Sequence, residues 1–354
     1  MKKLFGVLMI CSSLFFAACS EDKTNPDDGK VPTEEALEAV INTYVDRTVI
    51  PTYADMKAKV SALKTKVDQF VEDGSQASLN EACAAWRAAR EPWELSEAFL
   101  FGPADFLGLD PMLDSWPLDK DAIDQILADL NFEEVEGDEN IRGFHTLEYL
   151  LFSEGGNKSS AGVTAAEKSY MRKVAELLSE DTDALHGAWA DYFGNEFKSH
   201  QSQRVGSAQN AVEEIVDGCM SIANEVGSAK IGEPYQLYAD GDHEQGVLAV
   251  ESWYSWNSLD DYRNNIISIE NSYMGGRRGS RNTAGSLSAL VKTFDENLDT
   301  EIQAAIAAAI AAIDGIPAPF RSNLDKRIEI ENAQDILDDL EKTLLKIKRA
   351  LGLN

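Results

Sequence analysis

Apolar residues recur along this chain with a helical period. Tyr53, Met56, Val60, Leu63, Val67 and Phe70 alternate spacings of three and four and define one continuous stripe. Similar patterns predict helices over about 33–49, 119–131, 140–152, 164–198, 203–226, 247–273, 286–313 and 321–351, with ends set to within a few residues. Trp86, Trp93 and Leu100, seven residues apart, add a helix over 78–101. Ser78 with Glu81 and Thr164 with Glu167 have the spacing of capping boxes at helix starts. No strand pattern or hairpin stands out. The pattern predicts an all-α chain, with helices long enough for bundles.

Length suggests two domains of ordinary size. A boundary is expected between about 195 and 245, and the Gly- and Pro-punctuated stretch Gly227–Gly246 either separates two helical groups there or is a loop inside the second domain. The division predicted is 33–200 for an N-terminal bundle and 201–354 for a C-terminal one. Each half carries an acidic, Trp-containing helix, Trp86–Glu97 and Glu251–Asp261, a faint likeness that hints at duplication.

The first residues read as an export signal. Lys2 and Lys3 precede the apolar run Leu4–Phe16, and Ala17-Ala18-Cys19 closes it in the manner of a lipobox. Residues 1–18 are thus expected to be a signal peptide, Cys19 the lipidated residue, and 19–32 a flexible tether rich in charge, Pro and Gly. The acidic Ser20-Glu21-Asp22 that follows resembles a surface-export signal of Bacteroides-group lipoproteins. The expected location is the cell envelope, as an outer-membrane lipoprotein facing the periplasm or the surface. The apolar run is shorter than the ~20 residues of a spanning helix, and Ala304–Ile313 is only ten residues long.

Without Lys2 and Lys3, 30 of the 32 basic residues face 61 acidic ones, a net charge of −31 from Cys19 onward. That balance excludes nucleic acid as a partner, since phosphate binding needs basic patches. Beyond Cys11 and Cys19 only Cys83 and Cys219 remain, which excludes a cysteine metal cluster and leaves a disulfide or buried thiols.

The chemistry concentrates in Gly143-Phe144-His145-Thr146-Leu147-Glu148, where one histidine and one glutamate three residues apart share a face of an apolar helix. Such a pair is either half of a metal site or a satisfied buried hydrogen-bonded pair. Arg90 and Glu97 flank Trp93 by roughly 60° and 40° at ~100° per residue, close to the buried stripe, with Arg87 and Glu94 further out. A charge there needs a partner or a metal. Glu97 is either the partner of Arg90 or a third ligand facing His145 and Glu148. Asp114, in Asp114-Ser115-Trp116-Pro117, is a ligand, an acceptor orienting His145, or a turn residue, with Trp116 as a plug. Glu251, Ser252 and Ser255 form a polar patch at helical spacing, but no histidine or Gly-x-Ser-x-Gly elbow accompanies the serines, so a serine hydrolase is not expected. Arg277, Arg278 and Arg281 cluster in a Gly-rich loop, either as an anion site or as a solvated loop.

Several of these segments, taken in order, resemble the imelysin family: Ala85-Trp86-Arg87-Ala88-Ala89-Arg90, Phe101-Gly102-Pro103, Asp114-Ser115-Trp116-Pro117, Gly143-Phe144-His145-Thr146-Leu147-Glu148, Glu251-Ser252-Trp253-Tyr254-Ser255 and Asp261-Tyr262. The resemblance spans about residues 35–350. It implies two helical bundles with a cleft between them, in envelope lipoproteins linked to iron uptake. It also implies His145 and Glu148 as metal ligands, with Glu97 proposed as a third from its position. The expected cofactor is iron or zinc. The expected partners are a metal ion or metal-bearing small ligand, the membrane through the anchor on Cys19, and uptake-system proteins. Members were first described as peptidases, which gives a zinc metallopeptidase as one alternative. The chain has no His-Glu-x-x-His motif, which argues against it. A metal-free binding lipoprotein is the other alternative.

Overall fold

The computed structural model describes residues 31–200 and 205–353. The expected signal peptide, residues 1–18, and the expected lipidation site Cys19 lie outside them. Among the described residues helices carry almost all of the regular structure, and the single sheet is a pair of two-residue strands, Phe152–Ser153 with Gly156–Asn157. This small hairpin escaped the periodicity because two residues are too few to alternate.

The stripe from Tyr53 to Phe70 lies on the helix Ile50–Asp73, and all six of its residues are buried. That helix continues without a break from Glu34–Tyr44 through a π-turn at Val45–Val49. It packs against Gln76–Glu94 and Ala165–Ala188. In the second half, Ala208–Glu225 and Glu296–Asp314 each pack on the long Arg327–Leu351. The halves join where Ser258–Tyr273 lies on Gln76–Glu94 and Glu34–Tyr44 lies on Ala208–Glu225. One apolar core runs through both, and Val31–Asn354 cluster as one compact unit. No helix among the described residues is long and apolar enough to cross a membrane.

The Thr164–Glu167 capping box forms as expected, with Thr164 Oγ1 accepting from Glu167 N and Glu167 Oε2 accepting from Thr164 N. The other does not. Ser75, not Ser78, caps the Gln76–Glu94 helix, and the Ser78 hydroxyl turns to Asp73 instead. The predicted helix 78–101 ends at Glu94. The Ser96 hydroxyl donates to Trp93 O at 2.6 Å, and Glu97–Phe99 forms a separate 3-10 turn. The predicted helix 247–273 begins only at Ser258. Residues 251–256 before it are a tight turn in which Ser252 and Trp256 take φ of 54° and 60°. The 286–313 run is two helices broken at Asp295, whose side chain caps the second. Cys83 and Cys219 are buried free thiols, and burial pushes both up to about 12.

Candidate cation site

The site forms where the Gln76–Glu94 helix meets three later segments, and Arg90 is its centre. The side chain is fully buried. Its guanidinium pairs with Asp114, with Glu251, with Glu94 at 2.6 Å and with Asp261 at 3.3 Å. Its Nη2 lies 3.3 Å from His145 Nε2. A planar five-donor fork suits so many carboxylates better than an ammonium would.

Gly143 explains how Asp114 reaches this point. Its φ is +77°, and a Cβ there would lie 2.4 Å from Leu113 O. Only glycine lets the Leu109–Asp114 helix press its last residues against the start of Gly143–Leu151. A Gly143→Ala variant is expected to lose about 3 kcal/mol from left-handed strain and the displaced loop. A urea midpoint close to wild type would count against this role.

His145 is fully buried and bound through both ring nitrogens. Nδ1 lies 3.0 Å from Glu148 Oε2, and Nε2 lies 3.2 Å from Asp114 Oδ1 and 3.4 Å from Glu251 Oε1. Trp116 sits edge-on to the imidazole at 4.9 Å and donates its indole N–H to Ala249 O. Glu148 Oε1 accepts from Ser255 N at 2.7 Å, so this residue bridges the imidazole and the 251–256 turn. Arg87 holds the same turn through Ser255 O and Asn257 Oδ1.

The polar patch foreseen at Glu251, Ser252 and Ser255 is therefore present, but on a turn rather than a helix. Ser252 Oγ donates to Asp261 Oδ2 at 2.6 Å, and Ser255 Oγ donates to Ser252 O. The structure brings Arg90, Asp114, Trp116, His145, Glu148 and Glu251 into one cluster. Glu97 is close by but on different partners. Its carboxylate groups with Glu94 and Asp114, and lies 4.0 Å from Lys230 Nζ. His145 groups instead with Asp114 and Glu251. Glu94, expected toward the outside, is fully buried because Ser258–Tyr273 covers that face and Asn265 donates to it.

Glu94 and Lys230 are not among the site residues expected from the sequence, and Asp261 enters there only within a motif. Lys230 comes from the Gly- and Pro-punctuated stretch near the expected boundary, here a π-turn over Val226–Gly232, and lies 2.9 Å from Glu251 Oε2. One signal was available: it is the only Lys or Arg between Arg204 and Arg263.

Six buried carboxylates, Glu94, Glu97, Asp114, Glu148, Glu251 and Asp261, thus face Arg90, Lys230 and His145. Burial alone would strip the proton from His145, and Arg90 adds to that. Asp114 and Glu148 outweigh both and hold its pKa well above the imidazole range. Burial pushes Glu94 and Glu97 well above the usual carboxylate range, in spite of Arg90 and Lys230 respectively. Burial likewise raises Asp261 to about 6. Glu251 is held well below the usual range, because Lys230, His145 and Arg90 together overcome its burial. Glu94 Oε1 is close to Arg90 but off the line of its N–H, leaving an ion pair without a hydrogen bond. The cluster opens on a cavity of about 360 Å³, whose charged lining is Glu97, Asp110, Asp114, Glu225, Glu233 and Glu251 around Lys230. Carboxylates outnumber the cations here, and the ligand atoms of Asp114, His145 and Glu251 lie close enough together that they could hold a metal ion.

The family model described as Imelysin matches residues 49–347. The chain belongs to the imelysin family. This imelysin-family chain is similar to iron-regulated protein A of Synechococcus elongatus, with 29% identity over 87% of its own length and 85% of the relative's. Among solved structures it is similar to an iron-regulated protein A precursor from Parabacteroides distasonis, with 40% identity, a TM-score of 0.88, and 92% and 97% of the two chains covered. An imelysin-like protein from Psychrobacter arcticum shares the fold at 15% identity and a TM-score of 0.72, over 91% and 98% of the chains.

Proposed function

We propose that this chain is an envelope lipoprotein, anchored through Cys19, that binds a metal cation, iron in the first place, and serves its uptake. The observation that carries the reading is the buried surplus of carboxylates around His145, opening on an acidic cavity. The residues present fit such a cargo. One imidazole nitrogen with several carboxylate oxygens suits iron or zinc. The iron-regulated names of two relatives support iron as the first choice.

In this reading His145 Nε2, Asp114 and Glu251 supply ligand atoms, and the acids of the cavity draw the cation in. Glu148 fixes the ring by its contact with Nδ1. Glu97 and Glu94 offer further oxygens from the cavity side. Glu148 is committed to His145 and to Ser255 N. It is not a free base for a metal-held water, which supports binding over hydrolysis.

Titrating the chain with Fe(II), Fe(III) and Zn(II) tests the proposal. One tight equivalent of iron is expected, and no binding of any of the three would overturn the reading. The cation must displace the proton that Asp114 and Glu148 hold on His145, against the nearby Arg90 charge. That proton persists through neutral pH, so it competes more strongly as pH falls. Apparent affinity is therefore expected to rise by up to about tenfold per pH unit between about pH 6 and about pH 8. A flat profile over this window would remove His145 from the ligand set.

A further inference from the structure

The arginine cluster that stands out in so acidic a sequence plays no part in the cation site. Arg263, Arg277 and Arg278 line a separate cavity of about 250 Å³, together with Asn264, Asn271 and a single acid, Glu91. Each arginine is anchored by an acid that does not itself line the cavity. Arg263 Nε pairs with Asp314 at 3.2 Å, Arg277 Nη2 with Asp55 at 2.7 Å, and Arg278 Nε with Glu270 at 3.0 Å. Glu91 is held by Lys59 at 2.8 Å, and Lys59 also shares Asp55. Counting Arg281, which pairs with Glu270, five cations stand against four acids here. The surplus is positive in a chain of net charge −29.

A second observation is independent of the charges. Asn271 lines the same cavity, is only 2% exposed, and its side-chain oxygen has no hydrogen-bond partner among the described residues. A buried amide left unsatisfied is costly. By a half-turn it offers either a donor or an acceptor to a ligand. Guanidinium groups held by acids outside the lining, beside an amide whose oxygen has no partner among the described residues, offer donors to a charged oxygen group. The volume is below the ~300–1,000 Å³ of sites for drug-sized molecules.

We infer that this cavity binds the oxyanion group, phosphate or carboxylate, of a small molecule. It is a second site, distinct in residues and in sign from the one around His145. Calorimetric titration of the full-length chain with inorganic phosphate in one arm and succinate in the other tests it. Saturable binding of either anion is expected, weakened at least about tenfold in an Arg263→Gln, Arg278→Gln variant. Phosphate alone would mark the ligand as a phosphate compound, and succinate alone as a carboxylate. The two side chains are 38% and 49% exposed, so the variant is expected to fold, and its thermal midpoint checks that. No binding of either anion up to about 10 mM, or equal binding by the variant, would overturn the inference.

Discussion

Iron affinity is expected to fall by more than about a hundredfold when His145 is replaced by alanine, and by only about 10–100-fold for Glu148→Gln. The ordering follows from the two ring nitrogens. Nε2 faces Asp114 and Glu251, the oxygens best placed to share a cation, whereas Nδ1 is taken by Glu148. The amide of a Glu148→Gln variant keeps one hydrogen bond but loses the charge that orients the imidazole and raises its basicity. Metal titration of the two variants beside wild type, with circular dichroism to verify folding, reads the difference. Equal losses would make Glu148 a ligand in its own right, as the resemblance to the imelysin family implies. Wild-type affinity in His145→Ala would make the pair a structural one.

The largest loss of stability is expected at Arg90. Replacing it with alanine removes the guanidinium that Asp114, Glu251, Glu94 and Asp261 share. Breaking a buried ion pair from one side costs about 3–5 kcal/mol, because the stranded charge stays buried. Several carboxylates are stranded here, so the upper part of that range is expected. Arg90→Lys keeps the charge but offers three donors in place of a planar fork, and should recover only part of the loss. Urea unfolding of the three proteins measures this. An Arg90→Ala midpoint within experimental error of wild type would mean that the carboxylates take up protons at no cost, and that Arg90 is not their organiser.

Periodicity made the fold legible because burial repeats along each helix. The all-α class and most helical runs follow from stripes such as Tyr53–Phe70. Helix ends were less legible. Ser75 and Ser78 both offer a capping hydroxyl, and the choice between them is made by Asp73, which takes the Ser78 hydroxyl. The stop at Glu94 depends on the Ser96 hydroxyl and on what covers Glu94, and neither is periodic. That stop turns Glu97 out of line with Arg90. In the site, the Gly-x-His-x-x-Glu element and the nearness of Arg90 to the buried stripe could be read directly. Lys230 could be singled out only by its isolation among acids, because a lone lysine in a glycine-spaced stretch does not name its partners. Its role appears only when Glu251 and Glu97 are placed beside it by segments distant in sequence.

The reach of Arg90 across the chain bears on how this protein comes to exist at all. Its partner Asp261 lies 171 residues away, on the far side of the predicted boundary near 200. While only the first half is folded, Arg90 lacks Glu251 and Asp261. While only the second is folded, those acids lack Arg90. Each half alone would leave this charged face and part of the shared apolar core open to water, so neither is a stable resting state. The two halves are therefore tied into one folding decision. A chain paused between them would have neither a stable interior nor the assembled cluster around His145, and the proposed cation site would arise in the same step as the native state.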